Sequence, residues 1–411
     1  MQYITKKVKT YLSSTSLTFL TICTFFLNTP DLLGQEENLK NEVSEKGFNV
    51  KPTPESNLNF GGAVWLRGVV LPYLSETTAN ERGFYIDQFR LSLDGDYGFK
   101  DSTKFAFSGQ VRFFSYQTLI HHMWTGIDFK EKHNIKFGVT QVPFGTLPGS
   151  TNSFWYSLGY YVGIEDDRDA GIKYHFQKNG WDLHLAYFMN EEYNNTTALN
   201  RFAPDLVRMG DQQNEERNQG NIRLAKTFKG KESNTTELGL SVEVGEIKNR
   251  TTGSNGSRWK AAFHYVGNYG NWEPKFQLSR YVYEPNNPDG VDDRLVNMGF
   301  FEDTRLVAAK ATVLNASLER NFTIKWWLFE EFDVYMDYSR VFKDEVAFAD
   351  SELINPGAVL KAGPLYIWFD FMWGRNAWFF NDSPEESGPG AGSKNPEKFE
   401  YRQNLSIEWF F

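Results

Sequence analysis

Tyr401-Arg-Gln-Asn-Leu-Ser-Ile-Glu-Trp-Phe-Phe411 closes this chain of 411 residues, and its alternation decides how the rest is read. Apolar side chains at Tyr401, Leu405, Ile407, Trp409 and Phe411 are separated by Arg402, Asn404, Ser406 and Glu408. A strand turns successive side chains to opposite faces, so this segment has one apolar and one polar face up to the carboxyl terminus. In water, the apolar face would need a second sheet over it. In a membrane barrel, lipid covers that face and the polar one lines a lumen.

The same alternation recurs between Asn57 and Phe411, with no 3.6-residue pattern of helical length. Phe105, Phe107, Val111 and Phe113 oppose Lys104, Ser108, Gln110 and Arg112. Leu238, Leu240, Val242 and Val244 oppose Gly239, Ser241, Glu243 and Gly245. The polar faces carry small and charged residues, which suits a hydrated lumen and not the inner face of a β-sandwich. The reading is all-β: a transmembrane antiparallel β-barrel of about 16 strands, a size at which a barrel leaves an aqueous channel. Short breaks near Lys100, Lys130, Lys178 and Gly270 read as turns at one end. Long polar breaks at about 190–216, 285–303 and 376–396 read as external loops.

Composition agrees. Aromatic residues make up 17% and charged residues 23%, with a mean hydropathy of -0.51. Aromatic girdles around a polar interior would give that combination. The formal net charge of -9 and the lack of a basic run disfavour nucleic acid as a partner. At the amino end, Lys6, Lys7 and Lys9 precede an uncharged apolar stretch from Leu17 to Leu27. Too short to span a bilayer, it reads as an export signal over residues 1–34 with a cleavage point left open. Cys23, the single cysteine, would leave with it. Residues 35–57 read as a flexible periplasmic extension, and 58–411 as the barrel.

The central third carries a resemblance. Phe89-Arg-Leu-Ser-Leu-Asp-Gly95, Lys136-Phe-Gly-Val-Thr-Gln-Val-Pro-Phe-Gly145 and Asp167-Arg-Asp-Ala-Gly-Ile172 resemble, in order and spacing, the phosphate-selective porin O and P family of bacterial outer membranes. Gln141, Pro143, Phe144 and Gly145 match one family motif, and Arg168, Asp169 and Gly171 another. The resemblance covers roughly residues 58–190 and is architectural beyond. It implies a homotrimer of sixteen-stranded channels with a loop folded into each lumen. Pro143 to Asp169 would be that constriction loop, anchored by Phe154, Trp155, Tyr156, Tyr160 and Tyr161 and carrying Glu165, Asp166, Asp167, Arg168 and Asp169. An external loop that stabilises a trimer is the alternative. The closing strand ending in Phe411 also resembles the signal read by the outer-membrane assembly machinery.

Strand parity puts Arg67, Arg90 and Arg112 on the lumen face of early strands, and Arg402 on the last. Lys136 and Lys173 join them as pore-lining cations. Glu165, Asp166 and Asp167, with Glu331, Asp333, Asp337 and Asp370, would form an acidic side. A field between two such walls orients small polar solutes and filters ions weakly. This departs from the Arg ladder and Lys cluster that the family implies for phosphate selection.

Catalytic and metal readings find little. His121 and His122 are adjacent, hence expected on opposite faces, and His175, His184 and His264 are each expected alone on a polar face. No metal site or cofactor is predicted. No G-x-S-x-G, Walker or H-E-x-x-H motif occurs, so no enzyme is predicted. A lipase or protease assembled from separate strands stays open. The expected function is passive diffusion of small hydrophilic solutes, including anions such as phosphate, across the outer membrane. Two alternatives stand beside it: a soluble secreted all-β carbohydrate-binding protein, and a barrel with a plugged lumen serving as adhesin or scaffold.

Overall fold

The period-two patterns become strands wherever they were read. The structure, a computed structural model, describes residues 48–70, 83–99, 102–130, 132–377, 380 and 398–411. The expected export signal, residues 35–47 of the expected extension and most of the 376–396 connection lie outside the described residues.

Twenty strands follow in order: β1 (Phe48–Val50), β2 (Ser56–Val70), β3 (Gly83–Gly98), β4 (Lys104–Phe114), β5 (Thr118–Phe129), β6 (His133–Gln141), β7 (Arg168–Lys178), β8 (Trp181–Glu191), β9 (Asp205–Leu206) and β10 (Asn214–Lys229); then β11 (Thr235–Asn249), β12 (Asn255–Asn268), β13 (Trp272–Glu284), β14 (Leu295–Phe300), β15 (Asp303–Ala308), β16 (Lys310–Trp326), β17 (Phe329–Lys343), β18 (Ser351–Ala362), β19 (Leu365–Arg375) and β20 (Glu400–Phe410). Sixteen of them, without β1, β9, β14 and β15, pair antiparallel with their neighbours, and β20 returns to β2 to close the barrel. Closure leaves no unpaired barrel edge. Within the segment expected as a flexible extension, β1 is not free chain. It pairs with Leu58, Asn59 and Phe60 of β2.

The seam shows why the last strand reads as it does. Val64 faces Trp409 and Leu66 faces Ile407, while Arg67 faces Ser406. Gly62 N donates to Phe411 O at 2.9 Å, and Phe411 N returns a bond to Gly62 O at 3.0 Å. A Cβ at Gly62 would stand 2.3 Å from the Arg90 carbonyl oxygen and 2.6 Å from the Phe411 ring, so only glycine fits.

Outward positions stay apolar and exposed, with Leu240 63% and Trp409 51% accessible, while Ser241, Glu243, Asn404 and Ser406 point inward and are buried. A continuous apolar belt of this kind is far larger than soluble monomers show, and hydrocarbon is the solvent that suits it. Among the described residues no helix is long and apolar enough to cross a membrane, and the crossing elements are strands.

One expectation is corrected here. The inward faces are not polar along their whole length: near the long-loop end they carry Phe188, Ile247, Tyr281, Tyr283, Val313 and Val341. The long breaks after β8 and β13, expected as external loops, carry structure of their own. They contribute β9, β14 and β15 to a three-stranded sheet, whose Leu206, Val296, Met298 and Val307 share one buried cluster with the inward-folded segment 142–167. Burying that apolar surface offsets the entropy of ordering such long connections.

Candidate functional site

Segment 142–167 crosses the lumen and is tied to the far wall by its backbone. Ser241 Oγ accepts from Gly145 N at 3.0 Å, and Gln277 Oε1 accepts from Thr146 N at 2.7 Å. Arg223 Nε donates to Gly145 O at 2.8 Å, and Lys260 Nζ to Gly163 O at 2.7 Å. Asp337 takes Ser153 N at 2.9 Å, and Ser339 Oγ takes Leu158 N at 3.1 Å. These partners belong to β10, β11, β12, β13 and β17, so polar lumen residues on five strands serve the loop's backbone groups, which could not stay unpaired when buried.

On the near wall, the loop meets arginines. Arg67 lies over the rings of Phe154 (5.0 Å) and Trp155 (4.9 Å), and Arg402 lies over Trp155 at 4.6 Å. Arg90 sits 3.7 Å over Trp65, and Arg112 lies 4.6 Å over Phe202. All four face the lumen from β20, β2, β3 and β4, which are neighbours in the barrel. Arg90 and Arg112 are directly opposed across the β3–β4 ladder. Lys136 and Lys173 are likewise opposed across β6–β7, with Lys136 Nζ 3.8 Å over Trp124 and Lys173 Nζ bonded to Gln141 O at 2.8 Å. Like charges directly opposite each other cost stability, and the ring faces offset part of that cost.

Between this wall and the loop lies a cavity of about 250 Å³ bordered by Trp65, Arg67, Arg112, Trp155, Tyr160 and Phe202. Tyr156 stacks on Tyr160 at 4.2 Å, and the Tyr160 hydroxyl donates to Phe202 O. Phe202 was missed in the sequence. It stands in a polar break whose inward course no local pattern announces.

The expected acidic residues each have partners in the inward segment or the wall. Asp166 turns to the basic side, accepting from Arg168 at 2.8 Å and Gln141 at 2.9 Å. Glu165 accepts from Ser150 and, at 2.6 Å, from Asn315. Burial pushes its carboxyl up to about 7. Asp167 lies 3.7 Å from Lys260, and its carboxylate clusters with those of Asp169 and Asp205. Of the later acids, Asp333 pairs with Lys361, and Asp370 accepts from Tyr335 at 2.8 Å and Asn355 at 3.1 Å.

Both histidine expectations are overturned. The β4–β5 ladder shifts register between Gln110 and Val111, leaving His121 as an extra residue, so that His121 and His122 turn the same way with Nδ1 atoms 2.9 Å apart. His175 and His184 do not stand alone either: they face each other across β7–β8 and share Asp182.

The fold and the site define a closed sixteen-stranded barrel whose lumen is narrowed by an inward segment facing a strip of cations. No family model matches this sequence, and the search of curated proteins found no match. Solved structures share the fold at low identity. OmpT, an outer membrane protein of Vibrio cholerae in a trimer form, superposes with a TM-score of 0.56 at 12% identity, covering 87% of this chain and 99% of that one. An anion-selective porin from Comamonas acidovorans gives 0.57 at 11%, covering 87% and 100%. The outer membrane channel DcaP of Acinetobacter baumannii gives 0.59 at 13%, covering 89% and 99%.

Proposed function

We propose that the protein is an outer-membrane diffusion channel for small hydrophilic solutes, with a preference for anions such as phosphate. The observation that carries this reading is the strip of Arg67, Arg90, Arg112 and Arg402 on four adjoining strands, facing the inward segment across a solvent-sized cavity. A guanidinium strip in a low-dielectric wall concentrates anions even in a chain of net charge -9. Lys136 and Lys173 extend it. Phe154, Trp155 and Tyr156 hold the constriction, while Glu165, Asp166, Asp167, Arg168 and Asp169 act mainly as its anchors.

In this reading, residues 1–34 direct export and Phe411 presents the closing strand to the assembly machinery. Membrane lipid covers the belt. A homotrimer like the trimer form of OmpT is the proposed assembly, and the phosphate-selective porin O and P family is the proposed class. The chain acts as a channel, without enzymatic chemistry. The exposed apolar belt does not suit a soluble sugar-binding protein.

Planar-bilayer recording tests this. Conductance should be ohmic with a weak anion preference, larger with phosphate present than for a neutral-walled pore of the same size. Neutralising Arg90 and Arg112 together should move the reversal potential towards cations, and an unmoved potential would refute the role of the strip. The buried apolar cluster across the loop end favours a second reading, a plugged barrel acting as scaffold or adhesin. Correct insertion without any conductance would select it.

A further inference from the structure

We propose a transition-metal site on the lumen wall formed by His175, Asp182 and His184. It starts from a turn. Asn179 and Gly180 both have positive φ, 53° and 74°, as a two-residue hairpin loop requires. That turn pins Lys178 opposite Trp181, and therefore His175 opposite His184. Asp182 lies two residues before His184, on the same face.

The three side chains converge. His175 Nε2 is 3.1 Å from Asp182 Oδ2, and His184 Nε2 is 2.8 Å from Oδ1. The imidazoles stack with centroids 4.1 Å apart and planes 9° from parallel, so both present the same edge to one carboxylate. One ligand atom from each residue lies within 4.8 Å of the others. A tetrahedral ion about 2.0–2.1 Å from each donor has ligand-to-ligand edges of about 3.3 Å, which three donor atoms already within 4.8 Å of one another reach by small side-chain rotations. The rings need only splay to aim both lone pairs at it. Two imidazoles and one carboxylate select Zn²⁺, Co²⁺, Ni²⁺ or Cu²⁺ over Mg²⁺ and Ca²⁺. Side-chain exposures of 13%, 15% and 10% leave an approach from the lumen and a fourth position for water.

Arg223 is the competing cation, with Nη1 3.0 Å from Asp182 Oδ1. Its Nη2 is committed to Glu237 at 2.7 Å and approaches His264 at 3.1 Å, so one guanidinium is shared by two carboxylates. Asp182 Oδ2 stays turned towards His175. An ion held here would add positive charge to the lumen at the short-turn end, away from the arginine strip.

Full-length protein in detergent should be titrated with Co²⁺. The expected result is the visible absorption of low-coordinate cobalt, abolished by Zn²⁺, with His175→Gln and His184→Gln each weakening binding at least tenfold and Arg223→Gln tightening it. Equal spectra for the wild type and both histidine variants, or none for any, would overturn the site. In bilayers, the conductance consequence rests on the channel reading: micromolar Zn²⁺ should alter wild-type current and leave the histidine variants unaffected. Cobalt binding without conductance would sink the channel and keep the site. Conductance without histidine-dependent cobalt binding would do the reverse.

Discussion

Arg67 and Asp87 meet at 2.7 Å because the β2–β3 ladder slips by one residue: Trp65 pairs with Gln88 and Leu66 with Ile86, leaving Asp87 as the extra residue, turned into the lumen. A bulge thereby aims a carboxylate at a cation that strand parity alone would leave facing solvent. Both side chains are mostly buried, at 15% and 9% exposure, so the pair is shielded from salt. Asp87→Asn should release Arg67 to act on permeating ions. Reversal potential in a salt gradient should move further towards anions, with a stability cost of about 1–3 kcal/mol. A shift towards cations would show that Arg67 lies off the permeation route.

Trp155 is held between Arg67 and Arg402, at 4.9 and 4.6 Å from its ring. Each contact contributes about 0.5–2 kcal/mol when desolvated. Trp155→Ala should loosen the inward segment on its near side, raising single-channel conductance and current noise. Unchanged current in both respects would mean that the far-wall hydrogen bonds alone hold the loop.

Glu165 couples the loop to pH. Burial raises its carboxyl from 4.5 to about 7, with hydrogen bonds from Ser150 and Ser157 opposing. The folded chain then keeps a proton that the unfolded chain has released, so this contribution is complete below about pH 4.5 and is lost as pH rises through about 7. Thermal unfolding should show a stability falling across that window, and Glu165→Gln should make the fall shallower without abolishing it, because burial raises the Asp167 carboxyl as well. A wild-type profile rising over the same window would contradict the assignment.

Gly62→Val should block the seam, because a side chain there meets the Arg90 carbonyl oxygen at 2.3 Å and the Phe411 ring. Closure between β2 and β20 would be lost or strained. Heat-modifiable migration on gels, which separates closed barrels from unfolded chain, should show mostly unfolded material. Migration like the wild type would mean that the seam can shift to accept it.

Lys260 lies at the centre of the loop's far anchorage, bonded to Glu243 at 2.9 Å and to Gly163 O at 2.7 Å. Lys260→Met removes a buried cation and leaves Asp167 without it, at a cost of about 3–5 kcal/mol. Loss of protection in segment 142–167 against limited proteolysis would register it, and full protection would argue against the anchor.

The alternation at Tyr401 to Phe411 and its repeats carried the barrel, the strand number and the lumen-facing arginines, because strand parity is written in consecutive residues. Much else was illegible for one reason. Asp87, the His121 and His122 pair, and the meeting of His175 with His184 depend on bulges and register, which relate residues of different strands. Phe202 came from a polar loop that only folds inward once the barrel gives it an apolar cluster to join. By itself, the sequence determined that each strand has one apolar and one polar face, since side chains alternate with a two-residue period wherever no bulge intervenes. Only the tertiary structure decided which charges meet across the lumen and which are spent anchoring the loop, because those pairings are set by long-range closure and not by any local repeat.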